Sequence, residues 1–229
     1  MSAKLRLPAY FALIAFSALC GALAAREIPK YFPPSVTTSA RYLERVSQFQ
    51  VLKPIARNVM IGDSLTERGI WEELLPGMSI SNRGLGSVTV SLLRENLPYI
   101  PEDAERAFVM VGVNDISKGR QAEDVLIDYL ALLDDLDALK VDIVVQSTLL
   151  TNNRKWNAEI DKVNMILSNT CQQGRCTFVD LNSELAADGA IRPGMTYDGV
   201  HLNGRGYSTW SRAIRPLMST DIDQSSNPG

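Results

Sequence analysis

The stretch ARNVMIGDSL, residues 56–65, places a serine directly after a short apolar run. The run Asn58–Ile61 is predicted to be a buried strand, because it is short, apolar and followed by turn residues. Ser64 then lies on a tight turn from that strand into a helix. Active sites of parallel α/β sheets lie at the carboxyl ends of the strands. Ser64 is therefore the first candidate for a functional residue.

Four further apolar runs follow along the chain and alternate with stretches of helical spacing. The runs are Met78–Ser81, Ala107–Val111, Ile143–Gln146 and Thr177–Val179. The helical stretches are Ser39–Val51, Asp124–Leu139, Trp156–Leu167 and Gly206–Leu217. Strands that alternate with helices predict an α/β fold with a central parallel sheet covered on both faces.

The length and charge of the chain limit its organisation and partners. Its 229 residues suit one domain with an additional segment. We expect a connector over residues 26–55, the main domain over 56–219 and a polar tail over 220–229. The formal net charge is −3 and no block of Lys and Arg is present, which disfavours nucleic acid as a partner.

The first 25 residues are predicted to direct export. Lys4 and Arg6 precede an apolar stretch that runs from Leu7 to Ala25. Residues 22–24 read Ala-Leu-Ala and offer a signal-peptide cleavage site. The apolar stretch is also close to the roughly 20 residues of a membrane-spanning helix, so an uncleaved anchor is slightly favoured. The expected location is the periplasmic face of the inner membrane, or a soluble periplasmic or secreted state after cleavage.

A serine nucleophile needs a neighbouring base, and the chain contains a single histidine, His201. Asp198 precedes it by three residues, within reach of the imidazole ring in a turn. A carboxylate there would hold the ring tautomer and stabilise the imidazolium. A lone histidine is more often structural than catalytic, so this pair gains weight only together with the other motifs.

Two loops after predicted strands could bind a developing oxyanion. The first spans residues 82–87 and reads Asn-Arg-Gly-Leu-Gly-Ser, where glycines let backbone N–H groups approach a ligand. The second spans residues 112–115, in which the side-chain amide of Asn114 is a possible donor. Taken singly, each loop is equally well interpreted as an ordinary turn.

The four motifs in this order resemble the blocks of the SGNH (GDSL) hydrolases, a family named after a Ser, a Gly, an Asn and a His. The resemblance runs from about Arg57 to Leu217. It implies a flavodoxin-like three-layer α/β/α sandwich. It also implies a catalytic set of Ser64, Asp198 and His201, with an oxyanion hole formed by Ser64, the Gly86 region and Asn114.

Details of the second and fourth blocks are similar to the platelet-activating-factor acetylhydrolase-like branch of that family. They are the Asn-Arg-Gly-Leu-Gly of residues 82–86, His201-Leu202-Asn203, Gly206-Tyr207 and Trp210. Relatives of this branch usually read Gly-Gly-Asp where this chain has Gly86-Ser87-Val88. The oxyanion glycine of the family then falls on Ser87, so both Gly86 and Ser87 stay candidates for the backbone donor.

The implied activity is acyl transfer through an acyl-serine intermediate, with no metal or organic cofactor. The first expected substrate is a small O-acyl group on a saccharide of the cell envelope, which is removed or transferred. A lysophospholipase or thioesterase is the second interpretation. An inactive, membrane-tethered glycan-binding module is a third, from another class. The sequence leaves the oligomeric state open.

Cys171 and Cys176 flank a short loop around Gly174. In an oxidising compartment they could form a disulfide, and the alternative interpretation is two unrelated buried thiols. Without supporting histidines they make no metal site.

Overall fold

The computed structural model describes residues 36–220. Contacts between Cα atoms divide the chain into two units, residues 1–43 and residues 44–229. The described part of the first unit is a 3-10 helix, Val36–Thr38, followed by the beginning of a helix. There the hydroxyl of Ser39 donates to the carbonyl of Val36 at 2.8 Å.

The second unit is built on a five-stranded parallel sheet. In chain order the strands are β1 Asn58–Gly62, β2 Ile80–Gly84, β3 Arg106–Met110, β4 Asp142–Gln146 and β5 Thr177–Val179. Their spatial order is β2-β1-β3-β4-β5, so the first strand lies between the second and the third. Two short strands, β6 Ala186–Ala187 and β7 Ala190–Ile191, form a separate antiparallel pair. All five predicted sheet strands are confirmed as strands.

Helices cover both faces of the sheet and complete a three-layer α/β/α sandwich, which confirms the predicted fold class. They are α1 Ala40–Val51, α2 Ser64–Glu67, α3 Trp71–Leu74, α4 Val90–Arg94, α5 Val113–Ser117, α6 Ala122–Ala138, α7 Arg154–Thr170, α8 Asn182–Leu185 and α9 Gly204–Ile214. Short 3-10 helices are Leu97–Tyr99, Pro193–Met195 and Arg215–Leu217, and a π turn spans Cys171–Arg175. The four helices expected from sequence are α1, α6, α7 and α9.

The core forms between the sheet and the apolar faces of these helices. Every residue of β1 is buried, as are the last four of β3 and of β4, which is typical of strands covered on both faces. On α6 the apolar side chains at helical spacing are buried, and Tyr129, Leu132 and Leu136 have no exposed surface. Burial of these side chains, at about 25 cal/mol per Å² of apolar surface, is the main source of stability.

The strand register places the functional loops side by side. Gly62 at the end of β1 pairs with Gly84 of β2 on one side and Met110 of β3 on the other. The three loops that follow these residues therefore start at the same edge of the sheet. This edge carries Ser64, Gly86 and Asn114 on adjacent segments.

The second strand begins two residues later than the sequence predicts. It covers Ile80–Gly84 instead of Met78–Ser81, so Asn82 and Arg83 belong to the strand and not to the loop. Arg83 is buried there because its polar groups have partners. Its Nε donates to the carbonyl of Tyr99 at 2.8 Å, and its guanidinium lies 4.7 Å from the ring centre of Phe49.

The predicted export segment, residues 1–25, and the tail from residue 221 lie outside the described residues. Within residues 36–220, no helix is long and apolar enough to cross a membrane.

Candidate active site

The turn that carries Ser64 begins as soon as β1 ends. Asp63 caps helix α2, and its Oδ1 accepts the backbone N–H of Leu65 at 2.9 Å. Gly62 needs to be glycine, since a Cβ there would lie 2.1 Å from the carbonyl oxygen of Met110. The chain can therefore turn close to the end of β3, with the hydroxyl of Ser64 at the sheet edge.

Three contacts fix helix α2 behind the serine. The indole N–H of Trp71 donates to the carbonyl of Thr66 at 2.9 Å. The hydroxyl of Tyr207, on α9, donates to the carbonyl of Leu65 at 2.7 Å. On the sheet side a Cβ at Gly84 would lie 2.3 Å from the backbone nitrogen of Glu67, so only glycine lets α2 pack this close to β2.

A hydrogen-bonded line joins the three residues of the expected catalytic set. The hydroxyl of Ser64 lies 2.9 Å from Nε2 of His201. Nδ1 of the same ring lies 2.7 Å from Oδ2 of Asp198. The other carboxylate oxygen of Asp198 accepts the backbone N–H of Val200 at 2.9 Å and that of His201 at 2.7 Å. Ser64 and His201 are 137 residues apart in sequence and are joined by the fold.

The loop that carries Asp198 and His201 is closed on itself. Thr196 and Leu202 form an antiparallel bridge across its base. The hydroxyl of Thr196 donates to the carbonyl of His201 at 2.7 Å and accepts the N–H of Gly199 at 2.9 Å. Gly199 has a φ of +82°, a left-handed conformation that glycine adopts without strain. These bonds fix the carboxylate and the imidazole relative to each other.

The surroundings of Asp198 keep its carboxylate charged. Partial desolvation would raise the pKa, but hydrogen bonds from the His201 ring and from the N–H groups of His201 and Val200 more than offset it. The net effect is a pKa well below the ordinary 3.8. An ionised Asp198 accepts from Nδ1 of His201, which leaves Nε2 free to accept a proton from Ser64.

Asp63 behaves in the opposite way. Complete burial raises its pKa to about 7, the hydrogen bond from Leu65 lowers it in part, and the nearby carboxylates of Asp115 and Glu67 raise it further. Its Oδ2 has no hydrogen-bond partner within residues 36–220. Burial raises the pKa of Asp115 as well. Asp63 therefore braces the serine turn and, near neutral pH, carries a proton for part of the time.

The expected oxyanion residues lie on the loops after β2 and β3. Gly86 is half-buried, and Ser87 is exposed with a φ of +64°. A left-handed backbone favours glycine, and Ser87 is the position at which relatives of the family place one. The amide Nδ2 of Asn114 donates to the carbonyl of Val88 at 3.0 Å. An amide nitrogen has two hydrogens, so one remains available to a ligand.

Cys171 and Cys176 are joined by a disulfide that closes the π turn after α7. Within the described residues, no group of three or more His, Cys, Asp or Glu side chains is arranged to hold a metal ion.

Several residues that support the site carry no signal in the sequence. Thr196 and Trp71 belong to no motif, and their roles follow from contacts that only the fold creates. Tyr207 stands out in the sequence through the family resemblance alone. Its position six residues after the candidate base, in a helical stretch, is the one local signal that could have indicated it.

Residues 60–208 match the family model of the GDSL-like Lipase/Acylhydrolase family. That range is well over half of the chain and contains all four motifs.

Solved structures with the same fold cover most of the chain. A Streptococcus pneumonia protein, provisionally described as a platelet activating factor, matches with a TM-score of 0.72 and 23% identity, over 86% of this chain and 98% of its own. A GDSL-like lipase from Bacteroides thetaiotaomicron matches with a TM-score of 0.67 and 18% identity, over 80% and 98%. A catalytic mutant of an acetylxylan esterase from Geobacillus stearothermophilus matches with a TM-score of 0.59 and 17% identity, over 72% and 95%.

Among curated proteins, an N-acylneuraminate cytidylyltransferase of Streptococcus agalactiae is 31% identical over 149 residues. The match covers 64% of this chain and 35% of the relative. The chain thus spans about a third of the length of the curated relatives it matches.

Proposed function

Since this chain belongs to the GDSL-like lipase/acylhydrolase family, we propose that it is a serine esterase with Ser64 as nucleophile and His201 as base. One observation carries the proposal: the continuous hydrogen-bonded line from the hydroxyl of Ser64 through both ring nitrogens of His201 to the carboxylate of Asp198. This is the arrangement that acyl transfer through a serine requires.

The reaction proceeds in two halves. Nε2 of His201 takes the proton of Ser64 while the serine oxygen attacks the acyl carbon, and Asp198 stabilises the resulting imidazolium. The tetrahedral oxyanion accepts hydrogen bonds from the N–H of Ser64, the N–H of Gly86 or Ser87, and the remaining amide hydrogen of Asn114. His201 then protonates the leaving alcohol and an acyl-serine forms. Water releases the acid, or a second hydroxyl compound takes the acyl group.

The substrate is a small O-acyl group on a saccharide of the cell envelope. Two relatives support this choice through their names, one an acetylxylan esterase and the other an enzyme of N-acylneuraminate, a sugar acid. A wide surface groove lined by Asp198 lies beside the catalytic loop and offers room for a saccharide, which supports it too.

We further propose that the chain is exported, through its first 25 residues, to the periplasmic face of the inner membrane or beyond. The apolar stretch from Leu7 to Ala25 supports export. The disulfide between Cys171 and Cys176 is compatible with an oxidising compartment.

Labelling with a fluorophosphonate tests the nucleophile. The full chain is expected to react at Ser64, and Ser64→Ala is expected to lose the label and all esterase activity while its circular dichroism spectrum is unchanged. Label on another serine, or esterase turnover by Ser64→Ala, would overturn the assignment. A folded wild-type chain that takes no label would favour an inactive glycan-binding module.

A series of p-nitrophenyl esters from acetate to palmitate tests the acyl group. A small acyl pocket gives the highest kcat/KM for acetate and a steep fall with chain length. A rise with chain length would favour a lysophospholipase or thioesterase.

A further inference from the structure

A surface groove of about 770 Å³ begins at the catalytic loop and ends at the start of helix α7. Asp198, Gly199 and Val200 form one wall, and residues 152–156 form the other. Its volume is in the range of small-molecule binding sites. The groove adjoins the catalytic loop, because Asp198 lines it and also contacts His201.

The two walls of the groove are fastened to each other. The backbone N–H of Asn152 donates to the carbonyl of Gly199 at 2.8 Å. The side chain of Asn152 packs on Gly199 so closely that a Cβ there would lie 2.6 Å from its Nδ2. The side chain of Asn153 accepts the N–H groups of Lys155 and Trp156 and fixes the first turn of α7. A groove that is ordered before binding loses little entropy when a ligand enters.

The charge of the groove is positive, although the chain as a whole is negative. Arg154 and Lys155 line it, are exposed, and form no ion pair within residues 36–220. The guanidinium of Arg154 lies beside Gly189, and the neighbouring Asp188 is not within ion-pair distance of it. Asp198 is the one carboxylate that lines the groove, and it is engaged by His201. An arginine fork matches the geometry of a carboxylate.

One aromatic ring lines the groove, and a second one stands next to a groove residue in the sequence. Trp156 lines the groove and is half-buried. Tyr197, directly before Asp198 in sequence, is 94% exposed. Aromatic faces pack well against the C–H faces of sugar rings and leave the sugar hydroxyls hydrated.

We propose that this groove holds the saccharide part of the ester substrate, and that Arg154 and Lys155 select saccharides that carry a carboxylate. The inference rests on the proposed esterase function and names its substrate class: an O-acylated acidic sugar. The acyl carbon is placed at Ser64 by the catalytic line, while the sugar carboxylate lies at the start of α7.

The test compares two substrates that differ in one charge. They are an O-acetylated methyl glycoside of a hexuronic acid and the carboxamide of the same compound, with p-nitrophenyl acetate as a substrate that does not need the groove. The wild-type chain is expected to show a kcat/KM about tenfold higher for the acid than for the carboxamide. The double variant Arg154→Gln/Lys155→Gln is expected to lose this preference through a higher KM, with kcat unchanged.

Lys53→Gln/Lys140→Gln is the matched control. It removes two positive charges from exposed lysines that do not line the groove. It is expected to keep the preference for the acid. Raising the ionic strength is expected to weaken the preference of the wild type and to leave the variant unaffected, because exposed charges are screened by salt.

Failure of the groove proposal and failure of the esterase proposal give different results. Equal kcat/KM of the wild type for acid and carboxamide, or an equal loss on all three substrates in the Arg154/Lys155 variant, overturns the groove. Absence of turnover of p-nitrophenyl acetate together with absence of fluorophosphonate labelling overturns the esterase. A direct readout is the NMR shift of the Trp156 indole N–H signal in Ser64→Ala when the deacetylated uronic acid glycoside is added. The absence of a shift at tens of millimolar glycoside overturns the groove proposal.

Discussion

Replacement of Asp198 by asparagine is expected to inactivate the enzyme by reversing the tautomer of its base. One carboxylate oxygen of Asp198 accepts two backbone N–H groups, from Val200 at 2.9 Å and from His201 at 2.7 Å. In Asp198→Asn these two N–H donors still need an acceptor, so the amide oxygen takes the position of the carboxylate oxygen that they bind. The amide nitrogen then faces Nδ1 of His201, which lies 2.7 Å from the present carboxylate oxygen. Nδ1 has to become an acceptor, and the ring proton moves to Nε2, where it blocks proton transfer from Ser64.

The size of the loss follows from the alternative orientation of the new amide. Turning the amide over would restore the active tautomer but would set its nitrogen against two backbone N–H groups. Leaving each of these donors unpaired costs about 1–3 kcal/mol, or about 2–6 kcal/mol together. The active tautomer is then disfavoured at least about thirtyfold, since about 1.36 kcal/mol corresponds to a factor of ten. Replacement of the triad aspartate by asparagine in a serine protease lowers kcat by about 10⁴, which we take as the upper limit.

The assay combines kinetics with the spectrum of one ring. The 229-residue chain has a single histidine, so the ¹⁵N signals of the imidazole belong to His201 without further assignment. Asp198→Asn is expected to lower kcat on p-nitrophenyl acetate between about thirtyfold and 10⁴-fold and to show the proton on Nε2. Asp188→Asn, an exposed carboxylate with a φ of +52°, is the control and keeps full activity. A kcat of Asp198→Asn within threefold of the wild type, or a proton that stays on Nδ1, would refute the reasoning.

Three further predictions concern the support of the serine turn. Tyr207→Phe removes the donor to the Leu65 carbonyl and is expected to cost about 1–3 kcal/mol of unfolding free energy and to lower kcat more than it changes KM. The control is Tyr129→Phe, because the Tyr129 hydroxyl of the wild type has no partner within residues 36–220. Equal effects of the two variants would contradict the role of Tyr207 in supporting the serine turn. Gly84→Ala puts a Cβ 2.3 Å from the Glu67 nitrogen and is expected to displace helix α2. The expected results are a loss of about 1–3 kcal/mol of unfolding free energy and slower labelling by the fluorophosphonate. Gly194→Ala, where a Cβ meets nothing within 4 Å, is expected to leave the unfolding free energy and the labelling rate unchanged. Asp63 binds a proton in the folded chain up to a pH of about 7 but releases it near 3.8 when unfolded, so the native state binds more protons between these values. The unfolding free energy therefore falls as the pH rises through that window. Urea unfolding at several pH values is expected to show a smaller fall in Asp63→Asn, and an undiminished fall would show that other groups cause it.

Local patterns are enough to locate the strands and to bring Asp198 next to His201, because both depend on short stretches of sequence. The run Asn58–Ile61 is apolar and ends in turn residues, so its strand is predicted nearly to its last residue. Asp198 and His201 are three residues apart, and their contact needs little more than a turn. The single histidine removes the choice of base. Arg83, in contrast, lies beyond the predicted strand Met78–Ser81, since polar and charged side chains follow that run.

The support around the site is beyond the reach of the sequence, because it consists of contacts between distant segments. Tyr207 and Leu65 are 142 residues apart, and no periodicity relates them. The need for glycine at position 84 arises from the backbone of α2, which meets β2 only in the folded chain. The absence of an ion pair at Arg154 and Lys155 within residues 36–220 is likewise a property of the fold, since a sequence does not show which charges meet.

The closed loop between Thr196 and Leu202 holds the base and its carboxylate together as one structural unit. Its internal bonds set the distance between Asp198 and His201, so a movement of the whole loop leaves that pair intact and alters the separation between His201 and Ser64. Acyl transfer then depends on how two internally ordered segments pack against each other, the turn that carries Ser64 and the loop that carries Asp198 and His201. Substitutions of Arg154 and Lys155 in the groove wall are therefore expected to change substrate choice and to leave the Asp198–His201 pair unchanged.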